Sequence, residues 1–502
     1  MTERALAAPA TAHDWGAMRE PADARPLLEA ALAVATENGA SFAEARVVEC
    51  EELRHYTVLG SAADRRIEHD LGIAVRVLVD GVWGFAGRPL ESGSTAVEAA
   101  GAAVAIARAA AGATRHRLRL PAEPPAAGSY STAVVEDPFG VPVSVVEALL
   151  EQVLSAATED ARVVRAQAGV NAKRQHRYLA NSEGSAQDQH LVETGGGLLA
   201  VAAADGEVQR RSYPNSFHGD TSARGWEYLA ELDLVANAAR VGAEAVTLLT
   251  APTAPPGVAD LVIGPAQMAL QIHESVGHAL ELDRVLGDER NFAGASFVEL
   301  ASAGSLVYGS PAVTIRADPT VPGTRGSFGF DDEGTPAYGV DLIESGVLRE
   351  FLSHRDSAAR AGRRSTGAAR ADGWSAPPVC FATNVYLQPG EGSVDELLDQ
   401  LGEGYYLDDN RSWSIDSRRW SFQFGTEVAW EVRGGRRGRL LRNFSYGGIT
   451  PQFWGSVEAV GGPETFRTFG LPCGKGEPKQ WGFLAHGAAP TLVRQVQTGI
   501  AA

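Results

Sequence analysis

The chain has 502 residues, of which 44% are hydrophobic and 21% are charged, so it is long enough for two to three domains with buried cores. These proportions are typical of globular proteins and exclude a mainly disordered, collagen-like or coiled-coil chain. The 62 acidic residues outnumber the 44 basic residues, which gives a formal net charge of −18. Such an acidic chain disfavours nucleic-acid phosphates and anionic lipids as main partners.

Cysteine usage and hydropathy indicate the compartment. The three cysteines are too few for a disulfide scaffold and favour a reducing compartment; Cys50 and Cys380 lie in apolar strand patterns that are typical of core residues. The sequence contains no run of about 18 apolar residues, so no membrane-spanning helix is predicted. Residues 1–24 resemble a polar leader without the features of a signal peptide. We therefore expect a cytoplasmic protein that binds neither membrane nor nucleic acid.

The first half of the chain predicts mixed helices and strands. Helices are expected over 26–38, 94–111, 143–160 and 225–249. Strands are expected over 45–59, on both sides of an Asp80–Gly81 turn, and within 163–213 with turns at 181–184 and 205–206. Residues 119–142 are rich in Pro and Gly and are expected to form a connection.

The sequence TAPTAPPG at 250–257 is the clearest boundary, because Pro and Gly are dense there and apolar periodicity stops. It predicts an N-terminal α+β domain over 1–249, a linker over 250–257 and a C-terminal domain over 258–502. In the C-terminal domain we expect a helix over 265–282, another near 394–401, and otherwise short strands. The elements do not alternate as βαβ units, so we predict an α+β fold whose C-terminal domain is dominated by antiparallel sheet with one metal-binding helix.

The most informative motif is HESVGHALELD at 273–283, which contains a His-Glu-x-x-x-His pattern. Neutral imidazoles such as those of His273 and His278 are good zinc ligands, and Glu274 beside them is placed to take a proton from metal-bound water. Such patterns also arise by chance in large proteins. Here the apolar residues just before the motif predict a buried helix, where ionisable groups need partners such as a metal.

The spacing of the two histidines is unusual for a helix. Residues five apart differ by about 140° around the axis, so His273 and His278 would point to different faces. Either a π-type turn or a loosening of the helix at Gly277 would bring them together. We expect a π-type turn near residues 275–277.

A catalytic zinc site has three protein ligands and an open position, so a third ligand is needed. Glu281 and Asp283 are local candidates, although they could instead orient the histidines through their second ring nitrogens. Cys473, in a Pro- and Gly-rich turn, is a remote candidate. The spacing alone does not choose among the three.

Other residues allow competing interpretations. Residues 324–333 suit a strand that runs into an acidic turn. This strand could pair with an extended peptide, while Asp331, Asp332 and Glu333 contact its amino group or support the metal site. The alternative is a purely structural turn closed by Gly334. The isolated His218 and His486 are expected to be loop or core residues rather than ligands.

Several motifs occur together and in order: HESVGHALELD (273–283), RGSFGFDDEGTP (325–336), ATNVYLQPG (382–390), CGKG (473–476), APTL (489–492), GIAVRVLVDGVWGFAG (72–87) and LANSEG (179–184). Through them the chain resembles the TldD/PmbA family of metalloproteases, in which TldD is the catalytic member and TldE, also called PmbA, is its partner. Because all three residues of the His-Glu-x-x-x-His motif are kept, the chain is more similar to TldD than to TldE.

The resemblance implies a set of roles. It implies that His273, His278 and Cys473 hold Zn²⁺ and that Glu274 is the general base, which favours cysteine as the third ligand. It also implies that small or unfolded peptides are the substrates. A dimer with a TldE-like subunit, or with a second copy of this chain, is expected to enclose the active site.

Segments 365–378 and 477–489 depart from the family pattern, and residues 286–297 match it loosely. We therefore expect these regions to shape substrate binding. Two alternative functions follow. One is a hydrolase dedicated to an amide or other C–N bond of a peptide-like metabolite in natural-product biosynthesis. The other is a non-catalytic TldE-like partner subunit, against which the intact motif and Cys473 argue.

Overall fold

A computed structural model describes residues 24–114, 117–216 and 219–500. Residues 1–23 of the predicted leader and the isolated His218 lie outside the described residues. The described part is a mixed, multi-domain fold of helices and strands, which confirms the predicted fold class. None of its helices is long and apolar enough to cross a bilayer.

The first half contains five helices among the described residues: α1 (Ala24–Glu37), α2 (Ser94–Ala110), α3 (Val143–Ala157), α4 (Glu227–Leu232) and α5 (Leu234–Leu248). Its strands are β1 (Phe42–Val58), β2 (Asp64–Val79), β3 (Val82–Pro89), β4 (Ala127–Ser131), β5 (Val163–Asn181), β6 (Ala186–Ala204), β7 (Glu207–Tyr213) and β8 (Asp220–Ser222). All eight strands form one sheet in the order β3-β2-β1-β5-β6-β4, with β7 and β8 also paired to β6.

Two helix pairs cover one face of this sheet. Helices α1 and α2 pack on β1 and β2, and helices α3 and α5 pack on β5 and β6. Helix α2 lies so close to β3 that a Cβ on Gly84 of β3 would be 2.0 Å from the Ala103 carbonyl oxygen. The small buried residues of α2 allow this close approach between helix and strand. The opposite face carries polar side chains that reach the second half of the chain.

Most predicted elements of this half are present, and two predictions were wrong. The turn at Asp80–Gly81 is confirmed, and both residues have positive φ. The helix predicted over 225–249 is broken at Asp233, whose left-handed backbone ends α4 and whose side chain accepts a hydrogen bond from the Ala236 amide to cap α5. The connection predicted over 119–142 contains β4, which pairs in parallel with β6.

The second half contains the described helices α6 (Pro265–Ile272), α7 (Leu282–Leu286), α8 (Arg355–Arg360), α9 (Val394–Leu401) and α10 (Thr450–Gly455). Its strands are β9 (Gly257–Ile263), β10 (Ile315–Ala317), β11 (Val340–Glu344), β12 (Val347–Leu348), β13 (Ala369–Arg370), β14 (Val379–Cys380), β15 (Val385–Leu387), β16 (Gly404–Ile415), β17 (Ser421–Arg433), β18 (Arg436–Leu441), β19 (Phe444–Ile449), β20 (Val457–Val460), β21 (Arg467–Lys475), β22 (Gln480–Ala488) and β23 (Thr491–Ile500). The helix predicted near 394–401 is confirmed as α9.

Two larger sheets of this half surround α6. Strands β16, β9, β23, β19 and β17 pair in a closed ring, which β18 and β20 extend. A six-stranded sheet has the order β12-β11-β10-β15-β22-β21. Helix α6 packs against β21 and β22 of this sheet and against β16 of the ring. No strand pairing joins these sheets to the first sheet among the described residues; the division of the chain at 250–257 stays a prediction.

Buried ion pairs connect the two halves through the acidic turn at residues 331–333. Asp332 contacts Arg46 and Arg177 of the first sheet, and Glu333 contacts Arg76. The Asp331 carboxylate accepts hydrogen bonds from the Thr335 and Ala369 amides, among others. All three carboxylates are engaged within the chain, so the structural interpretation of this turn holds. The strand predicted before it is absent, because residues 324–329 form turns and irregular backbone instead.

We predict that Arg76→Met lowers the free energy of unfolding by about 3–5 kcal/mol, because it leaves the buried carboxylates of Glu44 and Glu333 without their shared cation. Arg66→Met, on the same strand, is the control. It removes a pair with Asp64 in which both side chains are more than half exposed, and it is expected to cost at most about 1 kcal/mol. Chemical denaturation of both variants tests the difference, and equal losses would contradict it.

Candidate metal centre

A π-turn aligns the two motif histidines. Helix α6 ends at Ile272, residues His273–Gly277 form a π-turn, and His278 begins a short 3₁₀ turn. The His278 amide bonds to the carbonyl of His273, five residues earlier. The wider turn accommodates the extra residue between the two histidines. As a result the two imidazole rings are close together, with their centroids 4.4 Å apart. The predicted π-type turn is confirmed.

Buried side chains hold this turn through Ser275. The Tyr308 hydroxyl donates a hydrogen bond to the Ser275 carbonyl, and the Trp454 indole donates to Ser275 Oγ at 2.9 Å. Ser275 Oγ donates in turn to the Gln271 carbonyl at 2.6 Å. Polar groups buried in a distorted turn need such partners. The turn is therefore fixed by the surrounding core rather than by the local sequence alone.

The fold brings Cys473 to the two histidines. Cys473 lies on β21, against which α6 packs, and its Sγ is 3.3 Å from His278 Nε2. One donor atom from each of His273, His278 and Cys473 lies within 4.8 Å of the others. Two imidazoles and a thiol are a donor set that zinc favours.

A second contact orients each imidazole. His273 Nδ1 lies 2.8 Å from His486 Nε2, and His278 Nδ1 lies 3.1 Å from Glu281 Oε2. These contacts leave Nε2 of both rings available toward Cys473. Outer partners of this kind fix the ring orientation of metal-binding histidines. His486 is a buried core residue, as expected, but its contact with His273 was missed, because β22 is brought to α6 only by tertiary packing.

A buried lysine engages both local carboxylates. Lys475 Nζ lies 2.9 Å from Glu281 Oε2 and 2.8 Å from Asp283 Oδ1, and none of the three side chains is more than 7% exposed. Lys475 and His278 hold the pKa of Glu281 well below its usual value, despite burial. Glu281 thus supports His278 from outside the donor set, and Asp283 is bound to Lys475. Only the two carboxylates, and not Lys475, were singled out from the sequence.

Glu274 lies between the two histidines in sequence and pairs with Arg419, which sequence reasoning did not identify. Burial raises the pKa of Glu274, and the guanidinium of Arg419 opposes this shift. Arg419 lies in the turn before β17 with a φ of 63°. The ion pair places a carboxylate beside the donor cluster in a largely buried setting.

The protonation states of the cluster fit a cation. Burial lowers the pKa of His273 well below its usual value and that of His278 to about 3, so both rings are neutral at pH 7. Burial raises the pKa of the Cys473 thiol to about 12. A bound metal ion reverses this effect and deprotonates a thiol that coordinates it. Two neutral imidazoles and a thiol of this kind fit Zn²⁺.

A large cavity lies on the other side of β21. Its volume is about 720 Å³, and Gly470 and Pro472 contribute to its lining together with Lys173, Trp413 and Phe483. Successive side chains of a strand point to opposite faces, so Cys473 points away from the face that Pro472 presents to this cavity. The cavity is therefore separated from the donor cluster by the strand itself.

Sequence comparison shows the family. The three PmbA/TldA metallopeptidase domain models match in order, with domain 1 over 43–111, the central domain over 136–251 and the C-terminal domain over 256–496. The chain is 30% identical over 392 residues to a metalloprotease of Methanothermobacter thermautotrophicus, covering 78% of this chain and 81% of that protein. The chain therefore belongs to the PmbA/TldA metallopeptidase family.

Further similarities agree with this assignment. A zinc metalloprotease TldD homolog of Saccharolobus solfataricus is 27% identical over 215 residues, covering 43% of this chain and 45% of that protein. A Thermotoga maritima structure described as a modulator of DNA gyrase has a TM-score of 0.74 at 19% identity, over 95% of this chain and all of that one. TldE from Thermococcus kodakarensis has a TM-score of 0.71 at 17% identity, over 94% of this chain and all of that one. These two structures show the shared fold alone.

We predict that the cluster of His273, His278 and Cys473 binds zinc, and that His486→Phe weakens this binding by about 10- to 100-fold, because His273 loses the partner that orients its ring. His486→Gln keeps a hydrogen-bonding side chain and is expected to retain more affinity. Competition with a chromophoric chelator measures both. Wild-type affinity in the Phe variant would contradict the orienting role.

A second prediction concerns Asp408, whose carboxylate lies against Gly264 at the start of α6. Burial and the neighbouring Asp409 raise its folded-state pKa from 3.8 to about 7. The unfolded chain therefore loses this proton near pH 4 and the folded protein only near pH 7, so stability falls as pH rises through this window. Asp408→Asn should remove up to about 4 kcal/mol of that fall. Denaturation midpoints from pH 4 to pH 8 test this, and a pH-independent difference between variant and wild type would contradict it.

Proposed function

We propose that this chain is a zinc-dependent peptidase that hydrolyses small or unfolded peptides. In this proposal His273, His278 and Cys473 hold the metal and Glu274 is the general base. The observation that carries it is the convergence of two neutral imidazoles and a thiol from the π-turn, the 3₁₀ turn after it and β21. Membership of a metallopeptidase family supports the same chemistry.

Bound zinc would supply an acidified water and an electrophile for the scissile carbonyl. The residues of the chain supply orientation and proton transfer. His486 and Glu281 keep the Nε2 atoms of His273 and His278 directed toward the cluster. Glu274 accepts the proton of the attacking water at a carboxylate oxygen and delivers it to the leaving amine.

The environment of Glu274 suits this double role. Arg419 favours the ionised carboxylate that a base needs, while burial raises the pKa of Glu274 toward the range in which it can also act as an acid. In the isolated chain Glu274 is only 6% exposed. A substrate therefore has to displace part of the Arg419 contact or enter beside it.

We also propose that the active form is a cytoplasmic dimer, formed with a TldE-like subunit or with a second copy of this chain. The intact donor set supports a catalytic rather than a scaffold role. The segment 477–489, expected to shape substrate binding, contains all of β22 and supplies His486. The departing segment 365–378 packs Trp374 against Gly72 of the first sheet. Both segments therefore also have structural roles.

We predict that Glu274→Gln retains zinc but loses peptide hydrolysis by about 10²- to 10⁴-fold, because the base is removed and the donors are kept. Cys473→Ala should lose both zinc and activity. Cys50→Ala, which removes a thiol of the first sheet, is the matched control and should retain both. Metal analysis and cleavage of an unstructured peptide measure these outcomes. Full hydrolysis by Glu274→Gln, or wild-type zinc content in Cys473→Ala, would overturn the proposal.

A further inference from the structure

A second group of metal-binding side chains lies on the first sheet. One donor atom from each of His176, Asp188 and His190 lies within 4.8 Å of the others. His176 Nε2 is 2.8 Å and His190 Nε2 is 3.5 Å from the same carboxylate oxygen of Asp188. We propose that these three residues form a second zinc site, independent of the proposed peptidase centre.

The strand register places the three side chains on one face. His176 of β5 lies directly opposite His190 of β6, and Asp188 is two residues before His190 on the same strand. Residues two apart on a strand share a face, and directly opposed residues have close Cβ atoms. The arrangement is therefore fixed by backbone pairing rather than by flexible loops.

The site has a buried wall and an open side. The three side chains lie on the helix-covered face, between the α1–α2 pair and the α3–α5 pair. The side chain of His176 is 2% exposed, whereas those of Asp188 and His190 are 30% and 24% exposed. A cation can thus reach the site from solvent and keep an exchangeable position next to three protein ligands.

The local charge balance favours a cation. Among the described residues, the ion-pair partners of Asp188 are the two histidines, and no lysine or arginine pairs with it. Glu49 of β1 lies directly opposite His176, and its carboxylate pairs with His69 at 2.9 Å. A divalent ion would balance the negative charge of Asp188.

The outer contacts suit a metal-binding imidazole. The Tyr178 hydroxyl lies 3.0 Å from His176 Nδ1, which leaves Nε2 directed at Asp188. Two imidazoles and one carboxylate are a zinc donor set, whereas calcium and magnesium prefer oxygen ligands. Neighbouring ligands of tetrahedral zinc lie about 3.3 Å apart, close to the 2.8 Å and 3.5 Å that separate the imidazole nitrogens from the Asp188 oxygen. The two rings, whose centroids are 3.6 Å apart, would have to separate to hold the ion between them.

Cobalt(II) is a suitable probe, because a thiolate ligand gives a charge-transfer absorption band that a site of two histidines and one aspartate lacks. We expect wild type to bind about two Co²⁺ per chain, with the band from the Cys473 centre. His190→Ala and Asp188→Asn should each bind about one and keep the band. Cys473→Ala should bind about one and lose it, and Cys473→Ala/His190→Ala should bind none. His69→Ala, a nearby exposed histidine outside the trio, is the control and should bind as wild type does.

Metal content after dialysis and the absorption spectrum are read together, and circular dichroism checks folding. If His190→Ala does not fold, Asp188→Asn decides, because it preserves side-chain shape. Wild-type stoichiometry in Asp188→Asn, or no bound Co²⁺ in Cys473→Ala, would overturn the second site. One Co²⁺ in wild type without the thiolate band would support the second site and contradict the proposed peptidase centre, so the two failures are distinguishable.

Discussion

Two histidines separated by five positions have to point in one direction, and the structure around the candidate centre depends on meeting this constraint. A regular helix would place His273 and His278 about 140° apart. The π-turn removes this offset, and core side chains stabilise it at a single buried residue, Ser275. Tyr308 and Trp454, which contact this residue, come from distant parts of the chain, so the local geometry of the motif depends on the assembled C-terminal core.

Buried charge is the second organising feature of the centre. Glu274 and Glu281 each lie in a region from which water is largely excluded, where an unpaired carboxylate would be costly. Arg419 pairs with the first, and Lys475 with the second. Lys475 and Cys473 are two residues apart on β21, so the strand that contributes the thiol also contributes the cation. The same strategy connects the two halves of the chain, where arginines of the first sheet neutralise the turn at 331–333.

Local patterns were sufficient for much of the fold and for the two histidines of the candidate centre, whose role as metal ligands stays a prediction. The extent of α9, the Asp80–Gly81 turn and the π-turn followed from periodicity, turn chemistry and helical geometry. Cys473 required family resemblance, because spacing alone left three possible third ligands. The break at Asp233 was missed because its left-handed backbone is not visible in an apolar helical pattern. The contacts of His486 and Arg419 depend on strand pairing and helix packing over more than 140 residues, which no local pattern records.

The central claim is that a metal ion is held by two imidazoles and one thiolate. X-ray absorption spectroscopy of protein loaded with one equivalent of zinc tests it most directly, with Cys473→Ala as the comparison. The account predicts one sulfur at about 2.3 Å and nitrogen ligands at about 2.0–2.1 Å in the wild type. The sulfur contribution should vanish in the variant. A zinc shell of nitrogen and oxygen alone in the wild-type protein would contradict the account.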